Sequence, residues 1–302
     1  MIALSTPVSI PILNSQFTIT HDSPILLLGS CFTDAIGQKL SDAGFDTLCN
    51  PFGTLFNPIS IAECLSRAIY NNPIDKSFMV QRDGLWHSWL HHTRFSHPDL
   101  NTALRQCNES ISRTYDFLSR NPLLICTFGT AYTFTLTDAY PELCGQVVAN
   151  CHKVPAQAFT RRKVSIDEII AAWQPIIAHF ESNDTNILFT VSPIRHLADG
   201  AHGNQLSKST LLLAVDQLVG QSTYCEYFPS YEILLDELRD YRFYARDLCH
   251  PSDIAVDIIW QHFQDAYLTT ETQQRCRQYE QARRQLRHNP ISNNITDITP
   301  IS

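Results

Sequence analysis

The stretch Ser23-Pro-Ile-Leu-Leu-Leu-Gly-Ser-Cys-Phe-Thr-Asp34 decides how this chain is read. An apolar run from Ile25 to Leu28 stops at Gly29, passes Ser30 and Cys31, and enters an amphipathic segment near Asp34. That order is a buried parallel strand, a tight turn and a helix start. Glycine lets the backbone turn sharply. The N–H groups and dipole of a helix start favour an anion there, whether thiolate or oxyanion. The turn carries a hydroxyl and a thiol side by side. Residues 29–33 therefore read as the nucleophile turn of an α/β hydrolase-like enzyme, with Cys31 preferred over Ser30. The same residues also suit an ordinary first strand-to-helix turn holding a buried cysteine.

Outward from that turn, strands and helices alternate. A helix is expected over residues 34–43, ended by Gly44, then a strand over 45–49 and a loop dense in turn formers, Asn50-Pro-Phe-Gly-Thr-Leu-Phe-Asn-Pro58. A helix over 59–70 follows, with Ile61, Leu65 and Ile69 at helical spacing. Asp83-Gly84 between two strand-like runs signals a hairpin. Residues 74–97 are read as a hairpin insertion over one edge of the sheet, placed as a lid. A helix over 98–118 and a buried strand over 123–128 come next. Residues 135–165 show no regular pattern. Ser165 and Glu168 form a capping box for a helix reaching Phe180, with Pro175 as a kink. Strands over 186–191 and 224–227, helices over 207–219, 231–238 and 253–267, and a C-terminal helix with a polar tail over 271–302 complete the pass.

The length allows one large domain or two small ones, the composition suits a soluble globule, and the chain is read as a single α/β domain over residues 1–302. Of 302 residues, 44% are apolar and 17% charged, which allows a sizeable core. A net charge of −8 argues against nucleic acid or an anionic membrane as partner. Ten cysteines, with no C-x-x-C pair, suggest reduced thiols in a cytoplasmic protein rather than a zinc site. No window is long and apolar enough for a transmembrane helix. The histidines at 87, 91, 92 and 97 lack metal-site spacing with carboxylates or cysteines. Nothing in the sequence calls for a metal or a cofactor.

Five buried strands alternating with helices imply a three-layer α/β/α sandwich around a mainly parallel sheet. Ligands of such sheets sit beyond the carboxyl ends of the strands. The loops there hold most of the chemically suggestive residues. One is Asp247-Leu-Cys-His250, immediately before a helix. A carboxylate bonded to one imidazole nitrogen fixes the tautomer of the ring, and the other nitrogen can then act as a general base. Asp-x-x-His alone also suits an exposed loop pair; paired with the nucleophile turn it reads as catalytic.

Gly29-Ser-Cys-Phe-Thr33, Asn50-Pro-Phe-Gly-Thr54, Gly129-Thr-Ala131, Asn150-Cys-His-Lys153, Ser192-Pro-Ile-Arg-His196 and Asn204-Gln-Leu-Ser207 resemble the motifs of the GSCFA family, with Thr33 where that name has alanine. The resemblance covers most of residues 20–270. The family itself resembles the SGNH/GDSL hydrolases, a fold of esterases, deacetylases and lipases. That resemblance places Cys31 where the superfamily has its serine, and Gly53 as an oxyanion-hole N–H beside that of Cys31. It maps Asp247 and His250 onto the last block. The third block falls on Gly129-Thr130-Ala131-Tyr132 and lacks both polar residues. Asn57, Asn150 and Thr130 are the candidates to replace the missing asparagine, with Gly129 as a further oxyanion donor.

A thiol beside an imidazolium at a helix start is expected to lie well below the free value of ~8.5, suiting acyl transfer through a thioester. Ser30 as nucleophile would need the register shifted by one. His152 and Lys153, or Arg195 and His196, could hold an anionic group of the substrate, with Asn57 as a further contact. The alternatives are surface positions for the first pair and an ion pair of Arg195 with Asp199. The reading is a hydrolase or acyltransferase acting on an ester or O-acyl bond of a small molecule or glycan. Its rivals are a catalytically silent binding module and, more weakly, a thiol sensor.

Overall fold

The computed structural model describes residues 8–11 and 15–288. Strand β1 (Ile25–Gly29) leads into α1 (Cys31–Asp42) and β2 (Thr47–Cys49), and α2 (Pro58–Ile69) follows the loop at residues 50–57. The hairpin β3 (Met79–Arg82) and β4 (Leu85–Ser88) precedes α3 (Leu100–Leu118) and β5 (Leu123–Phe128). Next come β6 (Tyr132–Leu136), β7 (Val147–Val148) and β8 (Phe159–Lys163). They are followed by α4 (Ile166–Ser182), β9 (Ile187–Val191), α5 (Gly200–Gln221) and β10 (Cys225–Phe228). A single turn, α6 (Ser230–Glu232), widens into the π-helical Ile233–Glu237. Helices α7 (Asp253–Tyr267) and α8 (Thr270–His288) complete the described residues.

The main sheet has the order β10-β9-β5-β1-β2 and every pairing is parallel. Its strands are buried on both faces because helices cover both. Leu26 and Leu28 of β1 join one core with residues of α2, α3, α4 and α5. Ile25 and Leu27 join a second core with residues of α1 and α7. This alternation follows from the two-residue period of a strand and makes the fold an α/β/α sandwich. Strand ends lie level: Gly29 pairs with Thr127, Thr127 with Thr190 and Thr190 with Phe228. The chain turns from β1 to β2 on one side and crosses to β5 on the other, so the topological switch lies at the end of β1.

Gly29 has φ +147, and a Cβ there would lie 2.4 Å from the Thr127 carbonyl oxygen. Only glycine lets the chain leave the centre of the sheet this abruptly. Ser30 then serves as N-cap in extended conformation, and the helix opens at Cys31, three residues before the sequence pattern suggested. Amphipathic periodicity begins only where side chains face the core, so the first turn carries no such signal.

Two other expectations are corrected. Residues 135–165 are not irregular: β6 pairs antiparallel with both β7 and β8 in a second sheet. Strand β7 has two residues, and four of the five residues of β8 are exposed, so neither shows alternation. Helix α5 starts at Gly200, well before residue 207, and its first turns bury polar rather than apolar side chains. The hairpin forms around Asp83 (φ 49) and Gly84 (φ 77). Its far end is locked into the body, with Trp89, Leu90 and His91 at most 1% exposed. Capping of α4 matches the sequence: Ser165 and Glu168 exchange side-chain bonds to each other's backbone N–H. Helix α8 pairs Arg283 with Asp42 of α1 and buries Cys276 in the second core. Residues 289–302, the polar tail, and most of 1–14 lie outside the described residues.

Candidate active site

Cys31 and His250 are 219 residues apart in sequence and meet at the end of β1. The Sγ of Cys31 lies 3.4 Å from Nε2 of His250, and Nδ1 of His250 lies 2.5 Å from Oδ2 of Asp247. A carboxylate only accepts, so Nδ1 carries a proton, and Nε2 is the nitrogen that faces the thiol. The other carboxylate oxygen of Asp247 accepts from the backbone N–H of Cys249 (2.9 Å) and of His250 (3.0 Å). These bonds, with that of the imidazole, hold the Asp247 carboxyl down at about 2. The loop is further pinned by Arg195 N–H to the Cys249 carbonyl (3.1 Å) and Ala245 N–H to the His250 carbonyl (2.8 Å). Leu248 sits at φ 57 to close the arch between Asp247 and His250, a strained conformation for a non-glycine residue.

A match to the GSCFA family model extends over residues 24–263, from the strand before the nucleophile turn to the helix after His250. The chain belongs to the GSCFA family. No curated protein and no solved structure matches the chain.

In this GSCFA chain the one-residue offset between Ser30 and Cys31 separates their fates. Ser30 is 2% exposed, and its hydroxyl donates to that of Ser192 (3.1 Å), inside the rim. Cys31, the first helical residue, faces the imidazole. The thiol is not held low as expected. Burial pushes it up, and Asp34 and Asp247 add to that, against the downward pull of the N–H groups of Cys31 and Phe32. Cys31 therefore rests as a thiol, its Sγ 3.4 Å from Nε2 of His250.

Several residues expected to hold an oxyanion are engaged elsewhere. The N–H of Gly53 donates to the Asn50 carbonyl (2.8 Å). Those of Gly129 and Thr130 both donate to the Phe56 carbonyl, at 2.8 and 2.9 Å. The Thr130 hydroxyl meets that of Ser207 (3.1 Å), and Asn150 Oδ1 accepts from the His152 N–H (2.9 Å). Asn57 caps α2 by accepting from Ser60 N–H (2.8 Å) and is buried. What stands open beside the sulfur is the start of α1, the N–H groups of Cys31 and Phe32 that already act on the thiol. Phe32 was not singled out from sequence, because a backbone donor has no side-chain signature. Gly53 has a packing role instead: at φ +84, a Cβ there would lie 2.1 Å from Cβ of His92.

His152 is neither on the surface nor free for substrate. It is 5% exposed, stacks on His87 (4.6 Å) and bonds through Nε2 to the Ser88 carbonyl (2.7 Å). Lys153 is exposed beside it. Arg195 does not pair with Asp199, which takes Arg161 instead. Its guanidinium lies 4.1 Å over the Tyr244 ring and lines a cavity of about 310 Å³ with Gln205, Asp236, Arg239 and Tyr241. His196 packs edge-on against Phe56 and is held at about 4, by burial first and then by the charge of Lys208.

Lys208 is the charged site residue absent from the sequence reading. It is 1% exposed, and its ammonium donates to the carbonyls of Gly129 (2.8 Å) and Ser192 (2.6 Å). A signal existed: Lys208 shares a helical face with Asn204, Leu211 and Val215, and a lysine on a buried stripe is rare.

Proposed function

We propose that this GSCFA protein is a cysteine-dependent hydrolase or acyltransferase acting on ester or O-acyl bonds, built on an SGNH-like plan. The supporting observation is the continuous Cys31–His250–Asp247 relay at the switch point of a parallel sheet. In this reading Cys31 Sγ adds to the ester carbonyl while Nε2 of His250 takes the thiol proton. The oxyanion forms against the N–H groups of Cys31 and Phe32. Collapse breaks the C–O bond, and the imidazolium returns its proton to the leaving alkoxide. Water or a second alcohol, deprotonated by the same Nε2, then releases the acyl group from the thioester. Asp247 orients the ring throughout. The substrate class is a small-molecule or glycan acyl ester.

A second reading is a silent binding module. The engaged N–H groups of Gly53, Gly129 and Thr130, and Ala131 in the third block, favour it. Turnover of short acyl esters and O-acetylated sugars by wild type, Cys31→Ala, Ser30→Ala and His250→Ala separates the two. The proposal expects loss of at least a hundredfold in the first and third variants and little change in Ser30→Ala. Equal rates in wild type, Cys31→Ala and His250→Ala would end it.

A further inference from the structure

Lys208 is a fully buried cation with no role in the mechanism above. Its two hydrogen-bond acceptors are neutral carbonyls, and among the described residues it has no ion pair. Burying an ammonium without a counter-charge is costly, so a purely structural role would be better filled by a neutral donor. The carbonyls it holds belong to Gly129 and Ser192, the residues that leave β5 and β9. Ser192 accepts from Ser30 through its hydroxyl, and Ser30 adjoins Cys31. The ammonium thus stands directly behind the nucleophile turn. The Tyr231 ring faces it, with its centroid 5.7 Å away; the ammonium also acts by charge on the His196 ring, and it reaches the residue before Cys31 through Ser192, whose carbonyl it holds and whose hydroxyl meets that of Ser30. The groups facing Cys31 are His250, Asp34 and Asp247, and both carboxylates oppose a thiolate.

We propose that Lys208 is the positioning charge of this site: its buried ammonium favours negative charge on the Cys31 sulfur as the thiol loses its proton. The interaction is mutual, as coupling between two sites must be. Burial draws the Lys208 ammonium down to about 7, and a thiolate at Cys31 draws it back up. The effect therefore exists only while Lys208 is charged. Below its titration the cation assists thiolate formation; well above it, a neutral amine gives no help.

This inference rests on Cys31 as nucleophile, but its test needs no ester. The rate of Cys31 alkylation by iodoacetamide is followed by peptide-resolved mass spectrometry from pH 6 to 10. Wild type is compared with Lys208→Met, Lys208→Gln, which keeps a donor for the carbonyls, and Lys208→Arg, which keeps the charge. Circular dichroism checks each fold. Wild type should react about tenfold faster than Lys208→Gln at pH 6, the size expected of an opposite charge near a half-buried thiol. The ratio should fall toward one above pH 9, and Lys208→Arg should recover part of the low-pH advantage. A ratio constant across the range, or equal rates at pH 6, would overturn the proposal. Should Lys208→Met not fold, Lys208→Gln and the wild-type profile decide. With charged Lys208, log rate flattens between its titration with and without the thiolate, and unbroken unit slope refutes the coupling.

Discussion

Acid should destabilise this protein through its buried histidines. His91 is 1% exposed and bridges the hydroxyls of Ser88 (2.8 Å) and Ser110 (3.2 Å), and burial holds its imidazole down at about 3. His152, 5% exposed, is held by burial at about 4. Both values lie below that of an unfolded histidine, ~6.5. Protons therefore bind the unfolded chain first, and stability is complete above pH 6.5 and lost as pH falls toward 4 and then 3. At pH 5 each unfolded imidazole gains RT ln(1 + 10^1.5), about 2 kcal/mol, while the folded one stays neutral. The pair together removes about 4 kcal/mol between pH 7 and pH 5, a large share of an ordinary folding free energy. Urea denaturation at the two pH values measures it. His91→Gln keeps a donor and an acceptor between the two serines yet cannot be protonated, so it should remove about 2 kcal/mol of the loss. Equal unfolding free energies at pH 7 and pH 5, or an unchanged pH slope in His91→Gln, would refute the argument.

Asp247→Asn offers an amide to Nδ1 in place of a pure acceptor and favours the wrong imidazole tautomer; ester turnover should fall by about two to four orders of magnitude while circular dichroism shows the fold retained. Gly29→Ala would force a Cβ to 2.4 Å from the Thr127 oxygen, and a loss of roughly 3 kcal/mol is expected in urea denaturation. Ser165→Ala removes one half of the capping box on α4 and should cost about 1 kcal/mol by the same measurement.

The strands of the main sheet were legible because burial on both faces writes itself as unbroken apolar runs, as in Leu123–Phe128. The Asp247–His250 pair was legible because the two residues lie three apart, close enough for spacing to imply a bond. What stayed hidden has physical reasons. Strand β8 is exposed, so its residues answer to pairing rather than to a core. Asn57 and His152 looked functional because polar residues in rim loops usually are, and Gly53 because the superfamily resemblance put it in the oxyanion hole. Here a cap, a close approach and a buried stack use them up. Lys208 was hidden because a sequence shows that a residue is cationic, not that a helix has turned it inward.

The choice between Ser30 and Cys31 shows how far a single backbone position reaches. An N-cap residue is extended and the next residue is helical, so their side chains diverge. Gly29 fixes where the strand ends, the cap follows at Ser30, and the thiol at the first helical position is left facing His250. The hydroxyl goes inward to Ser192, whose carbonyl accepts a hydrogen bond from the Lys208 ammonium. Position 31, not the nature of its nucleophile, is therefore what the fold specifies. Cys31→Ser should place a hydroxyl within reach of Nε2 and retain some ester turnover. Ser30→Cys combined with Cys31→Ala should retain none, because its thiol would lie inside the rim. Activity in that double variant equal to wild type would show that the turn does not fix the direction of attack.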